Sequence, residues 1–429
     1  MANAYQETIL KNGLTVVSYR MSSMASATVG LWLRAGGRFE TRKNNGVSHF
    51  LEHLLFKGTT RRNYRQLKEA IEGMGGSLNG FTAEEMTCYL AKVVGKHLPL
   101  TLDVLSDMVL NSLLKEEDIE RERMVVKEEI KMYLDLPSSF VHALFSEILW
   151  PDQPLGFMIA GKTEVIESLT REEILAYKER FYTPRNLVIS AAGNLEHKKI
   201  VEDAESIFGS LPRGRRNRFS PAKEKQSRPV MKLKTKDTEQ THLCLGGRAL
   251  PYHHPDRYIM GVLNIILGGN MSSRLFNEVR EKRGLAYEIR SSVSPFHDTG
   301  AFVISAGVDN RKVAKTIQVI LKELDKVKSR PVPRKELRRA KDFAGGQLLL
   351  ALEETPSYMH WLGENTLCLG KVPPVEEILE KVNKVTADDL QRIAQQLFTN
   401  DNLNLALIGP LKEEKEINKV FQLEERRGK

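Results

Sequence analysis

Two stretches of this chain, 216 residues apart, carry one pattern, and that repeat limits the folds open to it more than any other feature. The segment LTREEILAYKERFYTPRNLVISAAGNL begins at Leu169, and VTADDLQRIAQQLFTNDNLNLALIGPL begins at Val385. Thr170 aligns with Thr386, Asn186 with Asn402, Gly193 with Gly409 and Leu195 with Leu411, without a gap. Each copy reads as a helix capped by Thr with two acids in its first turn, then a turn and an alternating apolar strand. A chain of 429 residues is long for one compact core. The repeat therefore predicts two copies of one unit of about 210 residues.

Strands expected at Leu14–Tyr19, Ala27–Arg34, Thr241–Leu245 and Ala301–Val308 mix with helices expected at Tyr64–Met74, Leu98–Leu110 and Arg311–Val327. The order is not a regular βαβ alternation. It points to an α+β protein of two homologous domains, each a mostly antiparallel sheet with helices packed on one face. Between the halves, Arg213–Arg228 holds seven basic residues against one acid, a net of +6 out of the chain's +9. With Pro212 and Pro229 at its ends, this run reads as a solvated linker rather than a polyanion-binding arm. The expected boundaries are 1–212, a linker at 213–229, and 230–429.

Cys88, Cys244 and Cys368 are odd in number and widely spaced, which suits reduced, buried thiols. No apolar run approaches the ~18 residues of a membrane span. The stretch MANAYQETILKNGLTVV lacks the pattern of a secretory or transit segment. A cytoplasmic protein with no membrane or nucleic-acid partner is the expectation.

The strongest chemical signal lies in Asn44–Gly58. Val47, Phe50, Leu51, Leu54 and Leu55 recur at helical spacing, with Asn45 expected to cap the start and Gly58 to end the helix. His49 and His53 then stand one above the other, so two imidazoles can share a cation such as Zn²⁺. Glu52 projects on the same side, where it can take a proton from a metal-activated water. Chance supplies only about 0.03 such H-x-x-E-H matches in a chain of this composition.

A catalytic zinc needs a third protein ligand and an open position. In Ile119–Tyr133, helical spacing groups Glu122, Val125, Val126, Glu129, Met132 and Tyr133 on one largely apolar face. A carboxylate there is costly unless a cation meets it, which makes Glu129 the third ligand. Glu128 points to the charged side and reads as a solvated glutamate. Glu122, two turns before Glu129, suits a carboxylate that orients a ligand histidine.

With H-x-x-E-H followed by Glu129, 76 residues beyond His53, the chain resembles the pitrilysin/insulinase family of zinc metallopeptidases. It is most similar to the subgroup of processing peptidases and their bacterial relatives. The resemblance implies His49, His53 and Glu129 as zinc ligands, Glu52 as catalytic base and Glu122 as supporting carboxylate. Gly76–Thr82 resembles the family's substrate-pairing edge strand, with Asn79 in the matching position and Gly80 where the family more often has Ala. Arg280–Tyr287 resembles an Arg/Tyr element that anchors or polarises the scissile carbonyl. Independently, seven-residue spacing would put Arg280 and Tyr287 on one helix face, as donors suited to a developing oxyanion. Leu267–Met271 resembles a glycine-rich family loop.

The second half lacks H-x-x-E-H, so one copy of the repeat is expected to be chemically silent. The resemblance further implies an endopeptidase cleaving peptides or unfolded segments in a chamber between catalytic and silent domains, with one Zn²⁺ per chain. It implies a homodimer, or a heterodimer with a related chain, with Arg280 and Tyr287 acting in trans. A non-catalytic peptide-binding or assembly subunit is the main alternative. Gly156–Thr163 also fits the phosphate-binding pattern G-x-x-x-x-G-K-[ST], but a proline-rich turn precedes it where a strand should be, so a nucleotide-binding role is the weaker reading.

Overall fold

A computed structural model describes residues 5–411 and 415–423. Two sheets organise the chain. The first contains β1 (Gln6–Ile9), β2 (Thr15–Arg20), β3 (Ser26–Leu33), β4 (Ser77–Thr82), β5 (Thr87–Val94) and β6 (Leu187–Gly193), in the order β1-β2-β6-β3-β5-β4. The second contains β7 (Val230–Thr235), β8 (Gln240–Arg248), β9 (Ala286–Pro295), β10 (Gly300–Asp309) and β11 (Asn404–Gly409), in the order β7-β11-β8-β10-β9. Leaving out β1, the two orders are the same pattern. Each has one parallel pair, β2 with β6 and β7 with β11, and antiparallel pairs elsewhere.

The repeat is visible down to its caps. Helices Arg171–Phe181 and Ala387–Leu397 start from Thr170 and Thr386, and both form complete capping boxes. Thr170 Oγ1 accepts from Glu173 N while Glu173 Oε2 accepts from Thr170 N at 3.0 Å, and Asp389 makes the same exchange with Thr386. Two orphan N–H groups of each helix are thereby satisfied by residues one turn apart. The strands that follow, β6 and β11, are buried throughout.

The compact units do not follow chain order. One comprises residues up to Lys131, Phe157–Ser220 and Leu349–Val372; the other comprises Met132–Gly156, Pro221–Leu348 and Pro373 onward. The sequence halves drawn at 1–212 and 230–429 thus each lend a helix to the other's sheet. In the first unit Thr355–Leu369 lies on β2, β6 and β3. Thr355 meets Thr28 at 2.9 Å, Met359 O accepts from Ser190 Oγ, and Gly363 lets the helix pass against the Trp32 indole. Thr28, Gly30 and Trp32 face this helix, and the alternate residues Val29 and Leu31 are buried on the opposite side, where Leu98–Asn111 packs. Helices therefore cover β3 on both faces. In the second unit Pro137–Leu149 sets Val141, Leu144, Phe145 and Leu149 against Cys244, Ala406 and Ile408. Each such buried aliphatic or aromatic side chain contributes roughly 1.5–3 kcal/mol.

The basic run between the halves is exposed but not loose. In the first unit Asn217 Nδ2 donates to Arg34 O and Phe181 O, Asn186 Nδ2 donates to Arg215 O, and Arg38 stacks on Phe219 at 3.9 Å. In the second unit Gln153 Nε2 donates to Lys223 O, and Asp298 accepts from Ala222 N. The backbone is docked while the charged side chains remain in water. The three cysteines are buried free thiols, and no helix among the described residues is long and apolar enough to cross a membrane.

Candidate metal centre

The helix that carries H-x-x-E-H runs Val47–Leu55 and buries Val47, Phe50, Leu51, Leu54 and Leu55, as its spacing predicts. Its ends differ from the sequence expectation. Gly46, at φ 97°, occupies the cap position, and the capping acceptor is the buried Glu40. Glu40 Oε2 accepts from Gly46 N at 2.8 Å and from Asn45 Nδ2 at 3.0 Å, and Oε1 accepts from Ser48 N at 2.8 Å. Asn45 is thus an intermediary rather than the cap. Burial pushes the Glu40 carboxyl up despite these donors. At the other end the helix stops at Leu55 through Phe56 in right-handed geometry, before Gly58.

The phosphate-loop lookalike has a different task. No strand precedes it; the helix Pro137–Leu149 and a 3-10 turn at Pro154–Gly156 do. Its Gly161 has φ +84°, and a Cβ there would lie 2.5 Å from Asn45 O and 2.9 Å from the Gly46 Cα. Met158 O accepts from Asn45 Nδ2. The loop is a buttress for the first turn of the motif helix.

His49, His53 and Glu129 form, among the described residues, the one group of His, Cys, Asp or Glu side chains whose donor atoms could hold a metal. His49 Nε2 lies 3.6 Å from Glu129 Oε1, and His53 Nε2 lies 3.4 Å from Glu129 Oε2. Two donors ~2.0–2.1 Å from a tetrahedral zinc would stand about 3.4 Å apart, so these spacings fit a shared ion better than direct hydrogen bonds. Among the described residues His49 Nδ1 is buried without a hydrogen-bond partner, leaving Nε2, facing the group, as the ring's working nitrogen. Without a metal the two rings part electrostatically. Burial, then the neighbouring His53, pushes His49 down to about 4. Burial also works against charge on His53, but Glu122 and Glu129 outweigh it and raise that ring to about 9. The same contact with His53 holds the Glu129 carboxyl below its ordinary value.

Glu129 comes from the long helix Glu116–Asp135. The buried face of this helix is Ile119, Glu122, Val126 and Ile130, not the wider set expected from the sequence: Val125 is 49% exposed and Met132 65%. Glu122 does lie in that face, with its Oε2 3.2 Å from His53 Nδ1 and its Oε1 2.5 Å from Lys57 Nζ. Glu128 points outward to Lys131, as expected of a solvated residue.

Glu52 sits on the same helix face, half-buried, and its Oε2 accepts from Thr82 Oγ1 at 2.7 Å. Burial raises its carboxyl above the usual range, with the Thr82 bond pulling the other way. Thr82 belongs to β4, the last strand of its sheet, bonded among the described strands only to β5. A Cβ on Gly80 would come 3.2 Å from Glu52 Oε1 and from the Phe56 ring, so glycine gives the strand its close approach to Glu52. Asn79 is exposed on β4, its Oδ1 accepting from Gly80 N. Thr82 was not singled out in the sequence, although the period of two along β4 puts it on the side of Gly80.

Arg280 and Tyr287 lie in the second unit and do meet, but not on one helix. Phe276–Glu281 is a π-helical turn, Gly284 follows it at φ +54°, and Tyr287 is the second residue of β9. The Arg280 guanidinium lies between the Phe276 ring, at 4.8 Å, and the Tyr287 ring, at 5.0 Å. Tyr287 is 76% exposed.

Two imidazoles and a carboxylate are spaced to hold one divalent ion, with a second, half-buried carboxylate beside them. Residues 15–163 match the insulinase family (peptidase family M16), and residues 168–343 match the domain described as the peptidase M16 inactive domain. An uncharacterized zinc protease of Streptomyces coelicolor is 39% identical over 414 residues, covering 95% of this chain and 90% of its own. The uncharacterized zinc protease YmxG of Bacillus subtilis is 40% identical over 402 residues, covering 93% and 97%. The chain belongs to the insulinase family, peptidase family M16. Among solved structures, a protease from Helicobacter pylori shares the fold with a TM-score of 0.88 at 23% identity, over 95% of this chain and 99% of that one. A protein from Pseudomonas fluorescens described as a peptidase M16 inactive domain does so with 0.88 at 18% identity, over 95% and 98%.

Proposed function

We propose that this chain is a zinc-dependent endopeptidase that cleaves extended peptides or unfolded protein segments, with one zinc ion held by His49, His53 and Glu129. The observation that carries this reading is Glu52: a half-buried carboxylate fixed by Thr82 on the helix face that bears both imidazoles. A bound zinc would supply Lewis-acid polarisation of the scissile carbonyl and acidify water. Glu52 would take a proton from the attacking water and pass it to the departing amine, a task for which its burial-raised carboxyl is suited. Among the described residues β4 is an edge strand, so an extended chain can add as a further strand beside Glu52, with Asn79 at the rim. This mode favours unfolded over folded substrates. Arg280 and Tyr287 are proposed as donors to the carbonyl, contributed in trans within a homodimer or a dimer with a related chain. A cytoplasmic location belongs to the same proposal, supported by the three free buried thiols.

Metal content and cleavage of a quenched unstructured peptide, measured on wild type and Glu52→Gln, test the reading. About one zinc per chain in both proteins, with cleavage lost only in the variant, is expected. Wild type that binds zinc but cleaves nothing would favour a non-catalytic peptide-binding subunit, and absence of zinc from wild type would remove the site assignment.

A further inference from the structure

We propose that Lys57 is a positioning residue for this metal centre, acting on His53 through Glu122. The inference rests on the zinc reading above. Lys57 stands one turn beyond His53, just past the end of the motif helix, and its ammonium is 2.5 Å from Glu122 Oε1. The other oxygen of Glu122 is 3.2 Å from His53 Nδ1. The Glu122 side chain is 8% exposed, so water cannot substitute freely for either contact.

Each oxygen of the carboxylate is thus committed to one partner, and the group cannot turn without breaking both contacts. With Oε2 held against Nδ1, the His53 ring is turned so that Nε2 faces the site, 3.4 Å from Glu129 Oε2, and a zinc-bound His53 would keep its remaining proton on Nδ1. Lys57 supplies two things. It fixes the Glu122 carboxylate from the side away from the histidine, and its charge offsets a carboxylate that would otherwise lie buried beside two more acids, Glu129 and Glu52. An ordinary surface ion pair would do neither, and its loss would leave His53 as it was.

The test uses the full chain and three variants: Lys57→Met, Lys57→Gln and Lys57→Arg. Zinc dissociation constants come from competition with a chromophoric chelator, and the Nδ1–H state of His53 from ¹⁵N imidazole shifts of the zinc-loaded protein. Lys57→Met and Lys57→Gln are expected to bind zinc about 10–100-fold more weakly and to lose the Nδ1–H signature, while Lys57→Arg stays within about threefold of wild type. At saturating zinc, cleavage by all three should approach the wild-type rate. Unchanged zinc affinity and Nδ1–H state in Lys57→Met overturn the proposal; if that variant fails to fold, Lys57→Gln decides on the same two readouts. Failure of wild type to bind zinc would instead sink the functional reading on which the proposal rests.

Discussion

Gly161 and Gly75 make a matched pair for testing how the motif helix is held. Both have positive φ, +84° and +74°. Alanine in that conformation costs about 1–2 kcal/mol, partly offset by about 0.4–1 kcal/mol from the stiffer unfolded chain. At Gly75 nothing lies within 4 Å of the added Cβ, so Gly75→Ala should destabilise by only about 0.5–1 kcal/mol. At Gly161 the same methyl meets Asn45 O at 2.5 Å and Gly46 Cα at 2.9 Å, both backbone, in the segment that opens the motif helix. Overpacking adds about 1–3 kcal/mol, so Gly161→Ala should lose about 2 kcal/mol more than its control. In units of this size that gap corresponds to a Tm about 4–8 °C lower for Gly161→Ala. Relief of the clash must move Gly46, three residues before His49, so zinc affinity should fall about tenfold in Gly161→Ala and stay at the wild-type value in Gly75→Ala. Thermal unfolding followed by circular dichroism, beside chelator competition, reads both effects. Equal losses in the two variants with zinc binding intact would refute the buttress. Lys162→Ala, with no consequence for either readout, completes the contrast with a phosphate loop.

Three further outcomes are expected. In the metal-free protein the His53 pKa is raised to about 9. Stability from that imidazolium is fully present below its unfolded pKa near 6.5 and is lost as pH rises through 9; the loss should be about 2 kcal/mol after allowance for partial exposure. Urea titrations at pH 6.5 and 9 check this, and zinc binding near pH 7.5 should release about one proton by calorimetry in two buffers. Thr82→Val, which removes the bond to Glu52 while keeping the shape of the side chain, should keep zinc and lower kcat about tenfold; an unchanged kcat would mean Glu52 needs no such anchor. Light scattering after size exclusion should find a dimer, and Tyr287→Phe should depress kcat/KM without touching zinc; a fully active monomer would end the trans assignment.

What was legible in the sequence was what neighbouring residues decide together. The capping boxes at Thr170 and Thr386 need only residues three apart, and they survive intact. The two histidines are brought together by helical geometry alone; the apolar stripe that suggests Glu129 is wider than the covered face, and Glu129 stands beside that face, 38% exposed, against both rings. The misses lie where the deciding partner is remote or the period changes. A seven-residue period would put Arg280 and Tyr287 on one helix, but Gly284, at φ +54°, lies between the turn and the strand; that glycine is the signal in the sequence. Val125 and Met132 fit an apolar stripe wider than the face that is covered. Glu40 caps the motif helix from beyond a 3-10 turn at Gly37–Phe39, and no spacing rule connects an acid there to the N–H groups of Gly46 and Ser48. The exchange of Pro137–Leu149 and Thr355–Leu369 between sheets left no local trace either, because an amphipathic helix advertises that it needs a sheet without saying which one. The two copies share a topology, so each helix could meet a similar surface in its own half; the choice is made by side chains such as Thr28, Ser190 and Trp32, which receive Thr355, Met359 and Gly363.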